Sequence, residues 1–180
     1  MIAVTDGPRT PRRRVAYSSA MAVSGNDIIH LQRCVELARE ALTAGDEPFG
    51  SVLVDSAGRR LVEDRNRISG GDSTRHPELT IVEWAVQHLS PDERATASVY
   101  TSGEHCPMCA AAHAWVGLGR IVYAVSSAQL GTWRSEWDAP DSPVAGLPIN
   151  AVAPGVQVEG PVETFVDEMK ALHRSSVGGV

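Results

Sequence analysis

Two short stretches of the sequence carry side chains that bind metals and move protons. The first, TRHPELTIVEW at residues 74–84, places His76 and Glu78 two residues apart just before an apolar run. The second, TSGEHCPMCAAAHAW at residues 101–115, places Cys106 and Cys109 three residues apart. Thiolates and a neutral imidazole are preferred zinc ligands. The residue types therefore suggest that the two stretches build one metal site.

Both stretches have the pattern of a helix beginning. A proline follows His76 and another follows Cys106, at a first-turn position where the missing N–H does no harm. Residues three apart share one side of a helix, and helix N-termini stabilise thiolates. Cys106, Cys109 and His76 would leave a fourth position open for water, which is typical of a catalytic zinc rather than a closed structural one.

Glu78 has the chemistry of a proton carrier beside such a metal. A carboxylate two residues from a ligand can lie next to an activated water without binding the ion. Other interpretations stay open from the residues alone. The C-x-x-C could be a redox pair, and the His-x-Glu could simply begin a helix. A structural zinc could take His105 or His113 as its fourth ligand.

The apolar pattern predicts the elements that must position these residues. Helices and strands alternate, which indicates an α/β fold of three layers, α/β/α, with a mixed five-stranded sheet. The predicted helices are 27–44, 77–88, 106–118 and 161–174, and the predicted strands are 50–55, 60–66, 97–102, 120–125 and 155–160. The first two strands form a hairpin. Residues 126–150 are predicted to be loops with at most one short helix.

The composition fits one globular domain. The chain has 180 residues, of which 43% are apolar and 21% charged, and its net charge is −6. It is therefore not expected to bind polyanions as a whole. No apolar run approaches the roughly 20 residues that cross a bilayer, and residues 15–25 are too polar for a good secretory signal. We expect a cytoplasmic protein without membrane contact.

The predicted domain covers residues 26–174. Residues 1–25 hold an arginine cluster without helical period, and we expect a disordered extension, with a nucleic-acid-binding arm as the alternative. Residues 175–180 are expected to form a flexible tail. Three cysteines without a signal peptide argue against a disulfide framework, and Cys34 is expected to be a buried side chain.

The H-x-E and C-x-x-C pattern resembles the signature of zinc-dependent nucleobase and nucleic-acid deaminases. The order of elements is also similar to the cytidine-deaminase-like fold. The resemblance runs from about residue 27 to 174 and includes EPFGSVLVD, Asn66 and YTSGEHCPMC. A histidine as first ligand and the CPMC motif resemble the guanine, cytosine and tRNA-adenosine deaminases rather than the free cytidine deaminases.

The resemblance implies a role for each matching residue. One zinc ion per chain would be bound by His76, Cys106 and Cys109, and Glu78 would shuttle protons. The implied substrate contacts are Asn66 at the base edge, Phe49 and Trp115 as aromatic walls, Glu104, and the backbone around His76 and Pro77. Phe49 and Trp115 could instead pack in the core, and Glu104 could instead cap the helix of the two cysteines.

Two residues depart from the family pattern. His105 stands before Cys106 where the family usually has proline, and Pro77 stands after His76 where alanine is common. The family uses backbone groups near the latter position to hold the base, and Pro77 has no N–H to donate. The departures bear on the substrate rather than on the metal chemistry.

The implied activity is hydrolytic deamination of a free aminated heterocycle, such as guanine, cytosine or an aminotriazine, with release of ammonia. The alternatives are a tRNA adenosine deaminase and a non-catalytic zinc or redox protein. RNA binding usually requires a basic surface. Residues 161–180 instead contain three acidic residues and only two basic ones, Lys170 and Arg174. We therefore expect a small-molecule base as partner, no nucleic acid, and a homodimer as in relatives.

A second set of candidate specificity residues lies in the segment 126–150. An acidic side chain there could accept hydrogen bonds from the amino and ring N–H groups of guanine or an aminotriazine. The candidates are Trp133, Glu136, Trp137 and Asp138. The alternative is an ordinary surface loop.

Overall fold

The computed structural model describes residues 23–177. Nearly all of the extension predicted for residues 1–25, and the end of the predicted tail, therefore lie outside the described residues. Within the described residues, seven α-helices and five strands follow in the order α1 Gly25–Thr43, β1 Gly50–Val54, β2 Arg60–Arg65, α2 Pro77–His88, α3 Pro91–Thr96, β3 Ser98–Gly103, α4 Pro107–Trp115, β4 Arg120–Val125, α5 Ser127–Glu136, α6 Ile149–Val152, β5 Val158–Glu159 and α7 Val166–Val177.

The strands form one mixed sheet in the order β2-β1-β3-β4-β5. The pairs β1–β2 and β1–β3 are antiparallel, and β3–β4 and β4–β5 are parallel. β1 is buried along its whole length, since helices cover both of its faces. The mixed five-stranded sheet and the hairpin of the first two strands are confirmed.

Each face of the sheet has its own hydrophobic core. On one face, α1, α5 and α7 contribute residues such as Leu31, Trp133 and Met169 to a cluster that includes Val52. On the other face, α2, α4 and α6 contribute to a cluster that includes Leu53. Neighbouring residues of one strand thus serve opposite faces, as the pleat requires, and the three-layer α/β/α architecture is confirmed.

The structure differs from the prediction in several helices. α3 was not predicted, and the segment 126–150 holds the ten-residue α5 and the start of α6. Both α3 and α5 begin with a capping box, formed by Ser90 with Glu93 and by Ser126 with Gln129. These two S-x-x-E/Q patterns are legible in the sequence. α7 continues to Val177, through residues expected to fray.

Within residues 23–177, no helix is long and apolar enough to cross a bilayer.

Candidate metal centre and active site

The three predicted metal ligands meet at the beginnings of two adjacent helices. His76 is the N-cap residue of α2, Cys106 is the N-cap residue of α4, and Cys109 lies in the first turn of α4. α2 and α4 pack against each other on one face of the sheet. His76 Nδ1 lies 3.6 Å from Cys106 Sγ and 3.7 Å from Cys109 Sγ.

These distances fit a single tetrahedral ion. The three ligand atoms all lie within 4.8 Å of one another. A tetrahedral zinc with bonds of about 2.3 Å to sulfur and 2.0–2.1 Å to nitrogen separates the two atoms by roughly 3.6 Å. Among residues 23–177, no fourth histidine, cysteine or carboxylate joins this group. The donor set thus fits zinc with an open coordination position.

The protonation of the three ligands is coupled. Hydrogen bonding by the Cys109 thiol, with a further contribution from His76, lowers the pKa of Cys106 to about 4. The same contact with Cys106, together with burial, raises the pKa of Cys109. Hydrogen bonding to Cys106 raises the pKa of His76, against the opposing effect of burial. Metal binding would therefore release protons from this cluster.

Glu78 lies beside the ligands without joining them. It is 4% exposed, and burial raises its pKa. Its Oε1 accepts hydrogen bonds from Thr101 Oγ1 at 2.9 Å and from Ser51 Oγ at 3.1 Å. Its Oε2 lies 3.9 Å from Cys109 Sγ. A carboxyl group with a raised pKa next to a metal site is suited to take and return protons near neutral pH.

The side-chain N–H group of Asn66 is a buried hydrogen-bond donor that has no acceptor among residues 23–177. The side chain is 1% exposed, its Oδ1 accepts the Ile68 N–H at 3.1 Å, and its Nδ2 has no hydrogen-bond partner among the described residues. The Asn66 N–H donates to the Phe49 carbonyl at 3.0 Å, and Arg65 donates to the Asn66 carbonyl. A rigidly held amide with a free N–H is suited to a ligand acceptor.

Phe49 is half-buried between the end of β3 and the last helix. Its ring lies over Gly103, where an added Cβ would come within 2.7 Å of the ring. The edge of its ring faces His173 of α7, with ring centroids 5.0 Å apart. Any side chain at position 103 would therefore displace the Phe49 ring. Pro77, the other predicted contact near the ligands, is buried at the first turn of α2.

The structure places two predicted substrate contacts elsewhere. Trp115 is 87% exposed at the far end of α4, whereas the cysteines lie at its beginning. It therefore forms no pocket wall within this chain. Both carboxylate oxygens of Glu104 accept backbone N–H groups, from Ser127 at 2.8 Å and Ile149 at 2.9 Å. Glu104 thus caps the beginnings of α5 and α6, and not the beginning of α4.

Two candidates from the segment 126–150, Trp133 and Glu136, make contacts elsewhere in the protein. Trp133 is 6% exposed and belongs to the core. Glu136 pairs with Lys170 of α7 at 3.1 Å on the surface. His105, whose role the sequence left open, is buried with its ring edge-on to His113. His113 in turn donates a hydrogen bond from Nε2 to the Gly119 carbonyl oxygen at 2.8 Å.

Three residues of the site were not predicted: Ser51, Thr101 and His173. Ser51 carried a weak signal, as a polar residue inside the buried strand GSVLV. Thr101 and His173 carried none, because their contacts with Glu78 and Phe49 join segments far apart in the sequence.

Residues 25–125 match the model of the cytidine and deoxycytidylate deaminase zinc-binding region. The chain is 30% identical over 112 residues to a probable cytosine deaminase of Schizosaccharomyces pombe, covering 62% of this chain and 68% of that one. It is 36% identical over 96 residues to the guanine deaminase of Bacillus subtilis, covering 52% of this chain and 61% of that one.

Two further similarities bear on substrate and fold. The chain is 32% identical over 100 residues to a tRNA-specific adenosine deaminase of Agrobacterium fabrum, covering 53% of this chain and 65% of that one. The structure of a guanine deaminase from Nitrosomonas europaea superposes with a TM-score of 0.67 at 20% identity, covering 87% of this chain and 86% of that one. The latter match supports the fold alone.

Proposed function

The chain belongs to the cytidine and deoxycytidylate deaminase family, and we propose that it is a zinc-dependent aminohydrolase acting on a free aminated heterocycle. Guanine, cytosine and aminotriazines are the proposed class of substrates. The proposal rests on one observation. Glu78 is buried next to the candidate metal ligands His76, Cys106 and Cys109 and is not itself part of that group. A merely structural metal site has no need of such a carboxylate.

Each residue of the site has a separate role in the proposed reaction. His76, Cys106 and Cys109 would hold one zinc ion, which when bound lowers the pKa of a water molecule and holds it for attack on the ring. Glu78 would take the proton of that water and deliver protons to a ring nitrogen and to the leaving amine. One water is consumed, the amino group leaves as ammonia, and a keto group replaces it.

The substrate contacts follow from the free polar groups around the site. Asn66 Nδ2 would donate to an acceptor on the edge of the base, such as a ring nitrogen or a carbonyl. Phe49 would present a flat apolar wall. Pro77 offers no N–H, so hydrogen bonds to the base on that side would come from other groups or from carbonyls.

The charge of the chain supports a free base over RNA. The net charge is −6, and the cluster Arg9, Arg12, Arg13 and Arg14 is confined to the first 14 residues. Phosphate contacts supply much of the affinity of RNA-binding proteins.

The second candidate function is tRNA adenosine deamination, which the similarity to the Agrobacterium fabrum protein favours. The proposed assembly is a homodimer, with the exposed Trp115 in a subunit interface.

An ammonia-release screen tests the proposed substrate class. The full chain should release ammonia from a free base or triazine, and its rate should depend only weakly on salt because few phosphates are contacted. A matched variant should lack residues 1–22 but keep Ser24, which caps α1. That variant should be equally active. Inosine formation in tRNA, with steep salt dependence and no turnover of free heterocycles, would contradict the proposal.

A further inference from the structure

Two buried hydroxyl groups lie next to the carboxylate of Glu78. Ser51 of β1 and Thr101 of β3 are opposite each other in the antiparallel register, and both residues are fully buried. Residues in such a pair project to the same face of the sheet. Here that face carries α2, whose first turn holds Glu78.

The hydroxyls and the carboxylate contact one another at hydrogen-bond distance. Thr101 Oγ1 lies 2.9 Å and Ser51 Oγ 3.1 Å from the same oxygen, Oε1 of Glu78, and the two hydroxyl oxygens are 2.9 Å apart. Each hydroxyl has one proton to donate, and a carboxylate oxygen can accept two. Donation of both protons to Oε1 gives the stronger, charge-assisted bonds.

The two oxygens of Glu78 are therefore not equivalent. Oε1 is held by both hydroxyls, whereas Oε2 lies 3.9 Å from Cys109 Sγ, on the side of the metal ligands. Rotating the carboxylate would break both hydroxyl bonds in a fully buried place, where unpaired polar groups are costly. Proton transfer needs donor and acceptor within about 2.6–3.2 Å, so a fixed orientation has a direct consequence for the rate.

We propose that Ser51 and Thr101 are positioning residues that anchor Oε1 of Glu78 and make Oε2 the oxygen that carries protons. The inference rests on the proposed function, in which Glu78 is the proton carrier. The pair would act on turnover rather than on substrate affinity, because the side-chain hydrogen bonds of both hydroxyls go to Glu78 and to each other, and not to Asn66 or Phe49.

The neighbouring residue Ser102 provides a matched control. It is as fully buried as Thr101, but its Oγ accepts the Gly50 N–H at 3.0 Å and does not contact Glu78. Ser102→Ala therefore removes a buried hydroxyl from the same strand without touching the carboxylate. Any loss that reflects only a weakened strand should appear in this variant as well.

The kinetic test compares zinc-loaded variants on a substrate found in the screen. Thr101→Val and Ser51→Ala should each lower kcat roughly ten-fold, and the double variant roughly a hundred-fold, with KM and zinc content unchanged. Thr101→Ser should restore kcat, because it restores the hydroxyl. Ser102→Ala should keep the kcat of the original chain. A double variant with kcat within about two-fold of the original chain would refute the positioning role.

A second measurement needs no turnover. In difference infrared spectra, with the Glu78 carboxyl band assigned through Glu78→Gln, Thr101→Val should move that band to higher frequency, since one hydrogen bond is lost. Ser102→Ala should leave it in place, and an unmoved band in Thr101→Val would overturn the proposal. Substantial turnover by zinc-loaded Glu78→Gln would instead overturn the proposed function itself, which separates the two failures.

Discussion

At the scale of single residues, the site depends on where helices begin. Cys106 and His76 are N-cap residues, and Cys109 lies in a first turn. The unpaired N–H groups there favour negative charge, which lowers the cost of forming thiolates. The same positions leave the side chains free to point away from the helix axis. Two helix beginnings on one face of the sheet can therefore supply three ligands to one ion.

The metal prediction belongs to these residues. The purified protein should contain about one zinc ion per chain, and Cys106→Ala combined with Cys109→Ala should lose it, because two of three ligands are removed. Metal analysis of the dialysed proteins measures this. Cys34→Ala is the control, since Cys34 is buried in the core on the other face of the sheet. Full zinc retention by the double variant would show that the ligands were chosen incorrectly.

At the scale of elements, the side chain of Glu104 forms hydrogen bonds with the beginnings of the next two helices after β4, α5 and α6. Glu104 accepts N–H groups at the beginnings of α5 and α6, which are separated by more than ten residues of irregular chain. The first N–H groups of a helix have no partner within it, so a carboxylate can satisfy them. Glu104, two residues before Cys106, thus ties this segment to the strand that leads to the metal ligands.

Removing this link should loosen the segment. Glu104→Ala should lower the free energy of unfolding by about 2 kcal/mol, since hydrogen bonds to charged groups are lost. Amide hydrogen exchange at Ser127 and Ile149 should become faster. Glu104→Gln keeps one acceptor oxygen and should show roughly half the effect. Unchanged exchange at both amides in Glu104→Ala would contradict the capping role.

At the scale of the whole molecule, the last helix packs through a buried histidine, His173, against the ring of Phe49, the residue before β1. His173 is 4% exposed, and its Nε2 has no partner among residues 23–177. Burial, and secondly the charge of Arg134, lower the pKa of His173 to about 4. The folded protein therefore keeps this ring neutral, while the unfolded chain protonates it near the usual pKa of about 6.5.

This difference predicts acid sensitivity. The contribution of His173 to stability is complete above about pH 6.5 and is lost as the pH falls towards about 4, by about 3 kcal/mol in total. His173→Phe should therefore lose less stability than the original chain between pH 7 and pH 5. Urea unfolding of both zinc-loaded proteins measures it, because metal effects cancel in the comparison. Identical pH dependence in both would contradict the prediction.

The sequence by itself determined the features that are local. The ligand types and their spacing, the hairpin, and the bounds of α2 follow from neighbours a few residues apart, because helix and strand periods are short. The residue types and spacing also suggested the roles of His76, Glu78, Cys106 and Cys109, and the family resemblance added the substrate contacts; the family and the fold are confirmed. The capping boxes of α3 and α5 are local sequence patterns of the same kind.

Only the tertiary structure decided contacts between distant segments. The hydroxyls of Ser51 and Thr101 reach Glu78 because strand register and helix docking bring three elements together. The same long-range packing turned Glu104 towards α5 and α6 and left Trp115 on the surface. No pattern within one segment specifies such geometry, because it depends on how whole elements share a buried core.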